Sequence, residues 1–222
     1  MESKSQKEIQ VEEKITDLVT KIVEEQTSGD DLPIRLWNNL RNHQEIAAIQ
    51  NYANMVSIGR LGLNDHGPIH MKTVCRNALK MLSILHTAGM QTSLEKENIG
   101  TFADSVAAVM LASLLHDSGM TIGRSGHELY SGIISYPIIE KVLSQLLPED
   151  CNILRRTIIR SIAIEGIIGH MATYPIHSVE AGIILIADGC DMTKDVPAFL
   201  WKYRQNRLKA ISTSILQTLL KK

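Results

Sequence analysis

Apolar positions recur at intervals of three and four along most of the chain. Between residues 7 and 27, Ile9, Ile15, Leu18, Val19, Ile22 and Val23 form a narrow stripe with charges between them, the spacing of an amphipathic helix. Ser28-Gly29-Asp30-Asp31 closes that stripe, and Pro33 suits the first turn of a second helix over 33–58, with Trp37, Leu40, Ile46, Ile49 and Met55 on its apolar side. A loop over 62–68 precedes a strongly periodic run over 69–88. A further helix is predicted over 95–116, and Gly119 just beyond it is an expected C-terminal stop. Ser125-x-x-Glu128 has the spacing of a capping box, which predicts a helix from about Gly126 to Leu147, bent or interrupted at Pro137. The Ile-rich stretch 150–168 reads as an amphipathic helix, Ser178 caps another that runs to Asp191, and Pro197 opens a last one. No alternating strand pattern, hairpin turn or internal repeat interrupts this. The pattern predicts an all-α bundle of seven to nine helices. Residues 1–60 form N-terminal helices, an appendage packing on the core; 61–195 form that core; and 196–222 form a basic C-terminal helix.

Composition agrees with helix packing. The 222 residues are 44% apolar but only 4% aromatic, so Ile, Leu, Val, Ala and Met must fill the core. A charged fraction of 21% excludes a disordered or fibrous chain. The net charge of −1 supplies no overall field toward nucleic acid or an acidic membrane. It conceals an asymmetry: residues 1–31 carry four Lys against nine Asp and Glu, and 192–222 carry seven Lys and Arg against Asp195 alone. These read as solvated helix faces, which disfavours a nucleic-acid partner. Cys75, Cys151 and Cys190 are widely spaced and odd in number, a pattern of reducing compartments. The polar, acidic start is unlike a signal or transit peptide, and the longest apolar runs, 106–115 and 181–187, are too short to cross a bilayer. The expectation is a cytoplasmic protein without a membrane partner.

The histidines change the picture. There are eight, and His66, His70, His116, His127, His170 and His177 fall mainly at predicted helix ends or in loops, where side chains from several elements can share a pocket. His116-Asp117 sits in the last turn of a helix that Gly119 ends. Imidazole with carboxylate suits a divalent manganese, iron, cobalt or zinc ion, with magnesium as a further candidate. Asp188 stands in an apolar helix beside Ile184, Leu185 and Ile186, where a carboxylate is costly to bury unless paired or bound to a metal. His43 and His86 lack such neighbours and read as surface residues, and His177 reads as structural.

Taken in order, His70 with Val74 four residues on, Leu115-His116-Asp117-x-Gly119, and Ala187-Asp188 resemble the signature of the HD-domain superfamily of metal-dependent phosphohydrolases, in a prokaryotic, archaeal-type branch. The resemblance covers about residues 64–192. It implies an HD-domain-like helical bundle in which His70, His116, Asp117 and Asp188 ligate the metal, with Asp117 or Asp188 orienting the attacking water. His127 and His170 fall where dinuclear members carry further ligands, so one or two ions per chain are implied; the other placement has these two histidines contact phosphate around a single ion. Met120 departs from the pattern, because many catalytic members carry Lys there. Arg124 and Lys72 are candidates for that cationic role, and His66 is a candidate for the same pocket. Asp65, Glu128 and Asp191 could hold the imidazole rings from behind. The implied activity is hydrolysis of a phosphomonoester, nucleotide or phosphodiester, with a phosphorylated small molecule or nucleotide as partner; a homo-oligomer is left open. The alternative is a non-catalytic ligand-binding or signalling module on the same fold.

Overall fold

The structure is a computed structural model that describes residues 4–148 and 150–191. Among the described residues there are nine α-helices and no strand: α1 (Gln6–Gln26), α2 (Leu32–Leu40), α3 (Gln44–Asn54), α4 (Pro68–Thr87), α5 (Ser93–Lys96), α6 (Phe102–Leu115), α7 (His127–Leu146), α8 (Ile153–Gly169) and α9 (Val179–Cys190). A π-helical turn, Met55–Arg60, extends α3, and 3-10 turns at Ser118–Thr121 and Asp150–Asn152 precede α7 and α8. The expected all-α bundle is found. The basic helix expected over 196–222 lies outside the described residues.

Two of the expected helices are each split. The stretch 33–58 breaks at Arg41–Asn42, where His43 becomes the N-cap of α3 and its Nδ1 accepts the Ile46 N–H at 3.4 Å. The half-buried His43 is therefore a cap rather than a bare surface residue. Apolar residues recur at three- and four-residue steps on both sides of this break, and hydrophobic period does not register a capping hydrogen bond between them. The stretch expected as one helix over 95–116 is α5 plus α6, and each starts with a reciprocal capping box, Thr92 with Glu95 and Thr101 with Asp104. His86, also expected at the surface, stacks on Phe102 with ring centroids 3.6 Å apart and pairs with Glu95 at 3.1 Å. The capping box expected at Ser125 and Glu128 does not form. Gly126 caps α7 instead, in the left-handed conformation with φ 68° and without a side-chain cap. The helix then runs through Pro137 to Leu146. At Ser178 the expected cap is present: its hydroxyl accepts the Ala181 N–H at 3.1 Å.

All fourteen residues of α6 are buried. A helix apolar on every side belongs at the middle of a bundle, and α6 is packed by α2, α4, α8 and α9. Its few polar side chains are all satisfied. Asp104 takes Arg155 at 2.6 Å, Ser105 donates to Glu180 at 2.7 Å, and Ser113 donates to the Val109 carbonyl at 2.7 Å. This rigid rod ends at the histidine–aspartate pair.

α1 lies against α4 and α2, with Ile15, Val19 and Ile22 buried in the cluster that contains α6. The seam also holds charge. Lys72, on α4, is buried with its Nζ 2.5 Å from both Glu8 and Glu12 of α1, and Lys4 closes on Glu12 at 2.7 Å. Lys72 therefore holds α1 to α4 and is not available to a substrate, which overturns its expected substrate-binding role. Breaking a buried ion pair from one side typically costs about 3–5 kcal/mol, because the remaining charge is stranded. Lys72→Ala is expected to lower the thermal midpoint by roughly 6–20 °C at about 2–4 °C per kcal/mol. A circular-dichroism melt that moves by less than about 2 °C would show that this seam carries no stability.

Candidate metal centre

The site is assembled where α6 ends. His116 is the C-cap residue of α6, and Asp117 leads into the 3-10 turn Ser118–Thr121. That turn lies tightly on α7. A Cβ on Gly119 would stand 2.1 Å from the His127 carbonyl oxygen and 2.6 Å from the Ser131 nitrogen, and the Gly119 N–H donates to Ser131 Oγ at 2.8 Å. Gly119 is required for this close approach and not, as expected, to stop the helix in a left-handed turn. The approach sets Asp117 beside His127, the first residue of α7. On the opposite side, Gly67-Pro68 starts α4 and places His70 in its first turn. His170 follows α8 directly, and Asp188 comes from the last turn of α9.

Five of these six side chains are buried and Asp188 is half-buried, and they form two groups that share Asp117. Asp117 Oδ2 is 3.4 Å from His70 Nε2 and 3.3 Å from His116 Nε2, and Asp188 Oδ1 is 3.4 Å and 3.8 Å from the same two nitrogens. Asp117 Oδ1 is 3.2 Å from His127 Nε2 and 3.5 Å from His170 Nε2. One carboxylate thus presents a separate oxygen to each pair of imidazoles. The Nε2 atoms face each other across each pair, at 3.2 Å for His70 and His116 and at 3.1 Å for His127 and His170.

The other ring nitrogen of each histidine is occupied. His116 Nδ1 meets the Ser113 carbonyl at 2.8 Å, His170 Nδ1 the Ile167 carbonyl at 2.6 Å, and His127 Nδ1 the Arg124 carbonyl at 3.0 Å. His70 Nδ1 meets the Asp191 carboxylate at 2.8 Å. A carbonyl or carboxylate oxygen only accepts, so each Nδ1 carries a hydrogen and each neutral ring aims an Nε2 lone pair inward. Facing lone pairs in a buried pocket need a cation between them, either a proton or a metal. His70, His116 and Asp188 have ligand atoms close enough to share one ion, and so have His116, Asp117 and His170. These nitrogen and carboxylate donors fit a first-row divalent ion.

The titration behaviour has the same origin. Burial favours the neutral forms of His70 and His116, but Asp117 and Asp188 outweigh it and hold both above the ordinary 6.5, His70 well above. Burial alone would raise the two carboxylates, but the surrounding imidazoles hold Asp117 well below 3.8 and lower Asp188 as well. Burial lowers His170 and His66, which favours their neutral forms.

His66 and Arg124, expected at the pocket, stand at its rim. The His66 and His70 ring centroids are 5.8 Å apart, and an Arg124 guanidinium nitrogen is 3.5 Å from His66 Nε2. His66 Nδ1 is held by the Asn64 carbonyl at 2.7 Å and by Ser57 Oγ at 2.8 Å, the latter from the π-helical turn. Ser57 gave no signal in the sequence, since nothing marks a π-turn there. Of the three acids expected behind the rings, Asp191 holds His70, and Glu128 reaches His127 Nδ1 at 3.2 Å while accepting Thr173 Oγ1 at 2.8 Å. Asp65 instead accepts the Gly67 N–H at 2.8 Å and shapes the loop before α4. Met120 is packed in a small apolar cluster with Ala53 and Met71. His177 is exposed, and its backbone N–H donates to Glu165.

No family model matches the chain, and no solved structure is significantly similar to it. Over 171 residues the chain is 34% identical to an uncharacterized protein of Methanocaldococcus jannaschii. The match takes in 77% of this chain and 64% of that protein's length. No helix among the described residues is long and apolar enough to cross a membrane.

Two outcomes follow from this geometry. Gly119→Ala must push the 3-10 turn off α7, so it is expected to separate Asp117 from His127 and to cost about 1–3 kcal/mol, the scale of overpacking. A parent-like melting curve with unchanged metal content would contradict that. The second outcome is a pH dependence. His70 and His116 titrate higher in the folded chain than unfolded, so without metal their stabilisation is complete below about 6.5 and fades as pH rises through their raised values. The lowered carboxylates stabilise above about 3.8 and lose that contribution as pH falls through their folded values. A bound metal replaces protons, so its affinity rises with pH. The gain in melting temperature on adding manganese should therefore grow between about pH 6 and pH 8.5; a gain that shrinks over this range would count against metal binding at these rings.

Proposed function

We propose that the chain is a metal-dependent phosphohydrolase acting on a phosphomonoester, nucleotide or phosphodiester. The observation that carries this reading is Asp117, whose two oxygens each face a separate pair of inward-pointing imidazole nitrogens. A carboxylate so placed is suited to bridge two cations, the arrangement that clamps attacking and leaving oxygens in phosphoryl transfer. The resemblance of the His70, His116-Asp117 and Asp188 pattern to the HD-domain superfamily points the same way, and membership of that superfamily is part of the proposal.

His70, His116, Asp117 and Asp188 would hold one ion, and His127, His170 and the second oxygen of Asp117 another, from manganese, iron, cobalt or zinc, with magnesium also considered. Such ions, when bound, polarise a phosphoryl oxygen and acidify water. The residues do the rest. Asp188 has a half-buried carboxylate that can accept a hydrogen bond from the attacking water and so orient it, as can Asp117. Arg124, exposed at the rim, offers guanidinium donors to phosphate oxygens. His66 gives its Nδ1 hydrogen to Asn64, so its Nε2 is an acceptor, suited to a substrate hydroxyl rather than an ionised phosphate oxygen. Asp191 and the backbone carbonyls behind the other rings keep the imidazoles from turning.

The test is a phosphate-release screen over nucleotides, phosphomonoesters and cyclic dinucleotides with added manganese, cobalt or magnesium. His116→Ala and Asp117→Ala are expected to reduce release to background while the helical circular-dichroism signal stays near parental. The parent should hold about two ions per chain at saturation, and His127→Ala/His170→Ala about one. A His116→Ala/Asp117→Ala variant that hydrolyses as fast as the parent would end this reading.

A further inference from the structure

A second feature borders the histidine cluster on the outer side of His70. On α1, Lys7, Gln10, Val11 and Lys14 fall at i, i+3, i+4 and i+7 and form one stripe. On α4, Ile69, Thr73 and Arg76 form the facing stripe. The two line a cleft of about 260 Å³ that reaches His70 and Asp191, equal to about nine water volumes at roughly 30 Å³ each.

The charges in this cleft are unbalanced in a particular way. The acids nearest on α1 are turned away: Glu8 and Glu12 are occupied by Lys72 and Lys4 on the other face of the helix. The two acids that do line the cleft are already engaged. Asp65 accepts the Gly67 N–H and Asp191 accepts from His70 Nδ1, each at 2.8 Å. Lys7, Lys14 and Arg76 have no carboxylate partner among the described residues; Arg76 donates only to its neighbour Asn77, at 2.9 Å. A concave wall with three cations, an amide and a hydroxyl, from two helices clamped together by a buried ion pair, is pre-organised for an anion with several oxygens.

We propose that this cleft between α1 and α4 binds a phosphate-bearing anion through Lys7, Lys14 and Arg76. Arg76, half-buried at its wall, supplies paired donors, and the two lysines supply positive charge at its mouth. The bound anion lies against Asp191, the residue that holds His70 in place. The same chemistry has two sources: a distal phosphate of a ligand whose other end lies at the histidine cluster, or a separate phosphorylated ligand. The inference stands on the cleft and does not require that the chain be a hydrolase.

The probe is methylenediphosphonate, which resists hydrolysis, supplied with equimolar magnesium and titrated calorimetrically into the full chain at low salt. Saturable binding is expected. Lys7→Gln/Lys14→Gln/Arg76→Gln should weaken it by at least ~10-fold, the scale of losing several charge-assisted contacts. The control is Lys80→Gln/Lys96→Gln/Lys141→Gln, which removes the same charge from exposed positions elsewhere and should bind like the parent. Melting curves confirm that both variants are folded. His116→Ala/Asp117→Ala then separates the sources: retained affinity means a separate ligand, and affinity lost in this variant as well means one ligand spanning both sites. No saturable binding to the parent, or an equal effect of the two lysine-containing triple variants, overturns the proposal. A chain that releases no phosphate from any compound but shows the expected binding pattern removes the phosphohydrolase reading and leaves this one.

Discussion

Four imidazoles locked in one tautomer around a single buried carboxylate set the terms for the rest of the molecule. Each ring has given its Nδ1 hydrogen to an oxygen behind it, so four lone pairs point at a space from which solvent is largely excluded. Asp117 adds a negative charge at the centre, and Asp188 adds a second at one side. This arrangement is unfavourable for a protein alone, because accepting groups face accepting groups at 3.1 and 3.2 Å. It becomes favourable only when a cation enters. Burial works against charge on these rings, yet Asp117 and Asp188 outweigh it and hold His70 and His116 above the ordinary imidazole range, while the imidazoles hold Asp117 down.

Holding such a cluster together requires a frame that does not yield. α6 provides one because it is buried along its whole length and packed on several sides, so its last residue cannot shift without disturbing the core. Gly119 then allows the following turn to approach α7 more closely than any side chain would permit. Together they fix His116 and Asp117 at the point where His70 and Asp188, over a hundred residues apart in sequence, come within 3.4 Å of each other. The dependence runs from core to site: apolar burial fixes α6, and the end of α6 fixes where Asp117 stands.

Much of this was legible in the sequence. The all-helical class came from period and composition, and the pocket's main residues came from histidines at element ends, together with an aspartate in an apolar helix that burial would otherwise disfavour. What was not legible has a common cause. The breaks at His43 and Gly100 depend on capping hydrogen bonds between side chain and backbone, to which hydrophobic period is blind. Ser125-x-x-Glu128 has the capping spacing, but Glu128 instead goes to Thr173 and His127, tertiary partners that no local pattern can reveal. Lys72 was misread for a similar reason. Beside His70 in sequence it looked like a cation for the pocket, but two residues along a helix is roughly 200° around it, so it faces α1 instead.

That misreading leads to the arrangement of charge around α1. A sum over residues 1–31 gives an acidic segment, and the natural inference is an acidic surface. The fold changes the inference, because Glu8 and Glu12 are spent on Lys72 and Lys4 while Lys7 and Lys14 remain on a different face with no ion-pair partner among the described residues. A helix that is acidic in composition thereby shows a basic side toward the cleft that borders His70 and Asp191. Burying the acids both clamps α1 to α4 and leaves the lysines facing the cleft unneutralised. The sign of a surface is decided by which charges the packing consumes, and net charge counted along the chain cannot supply it.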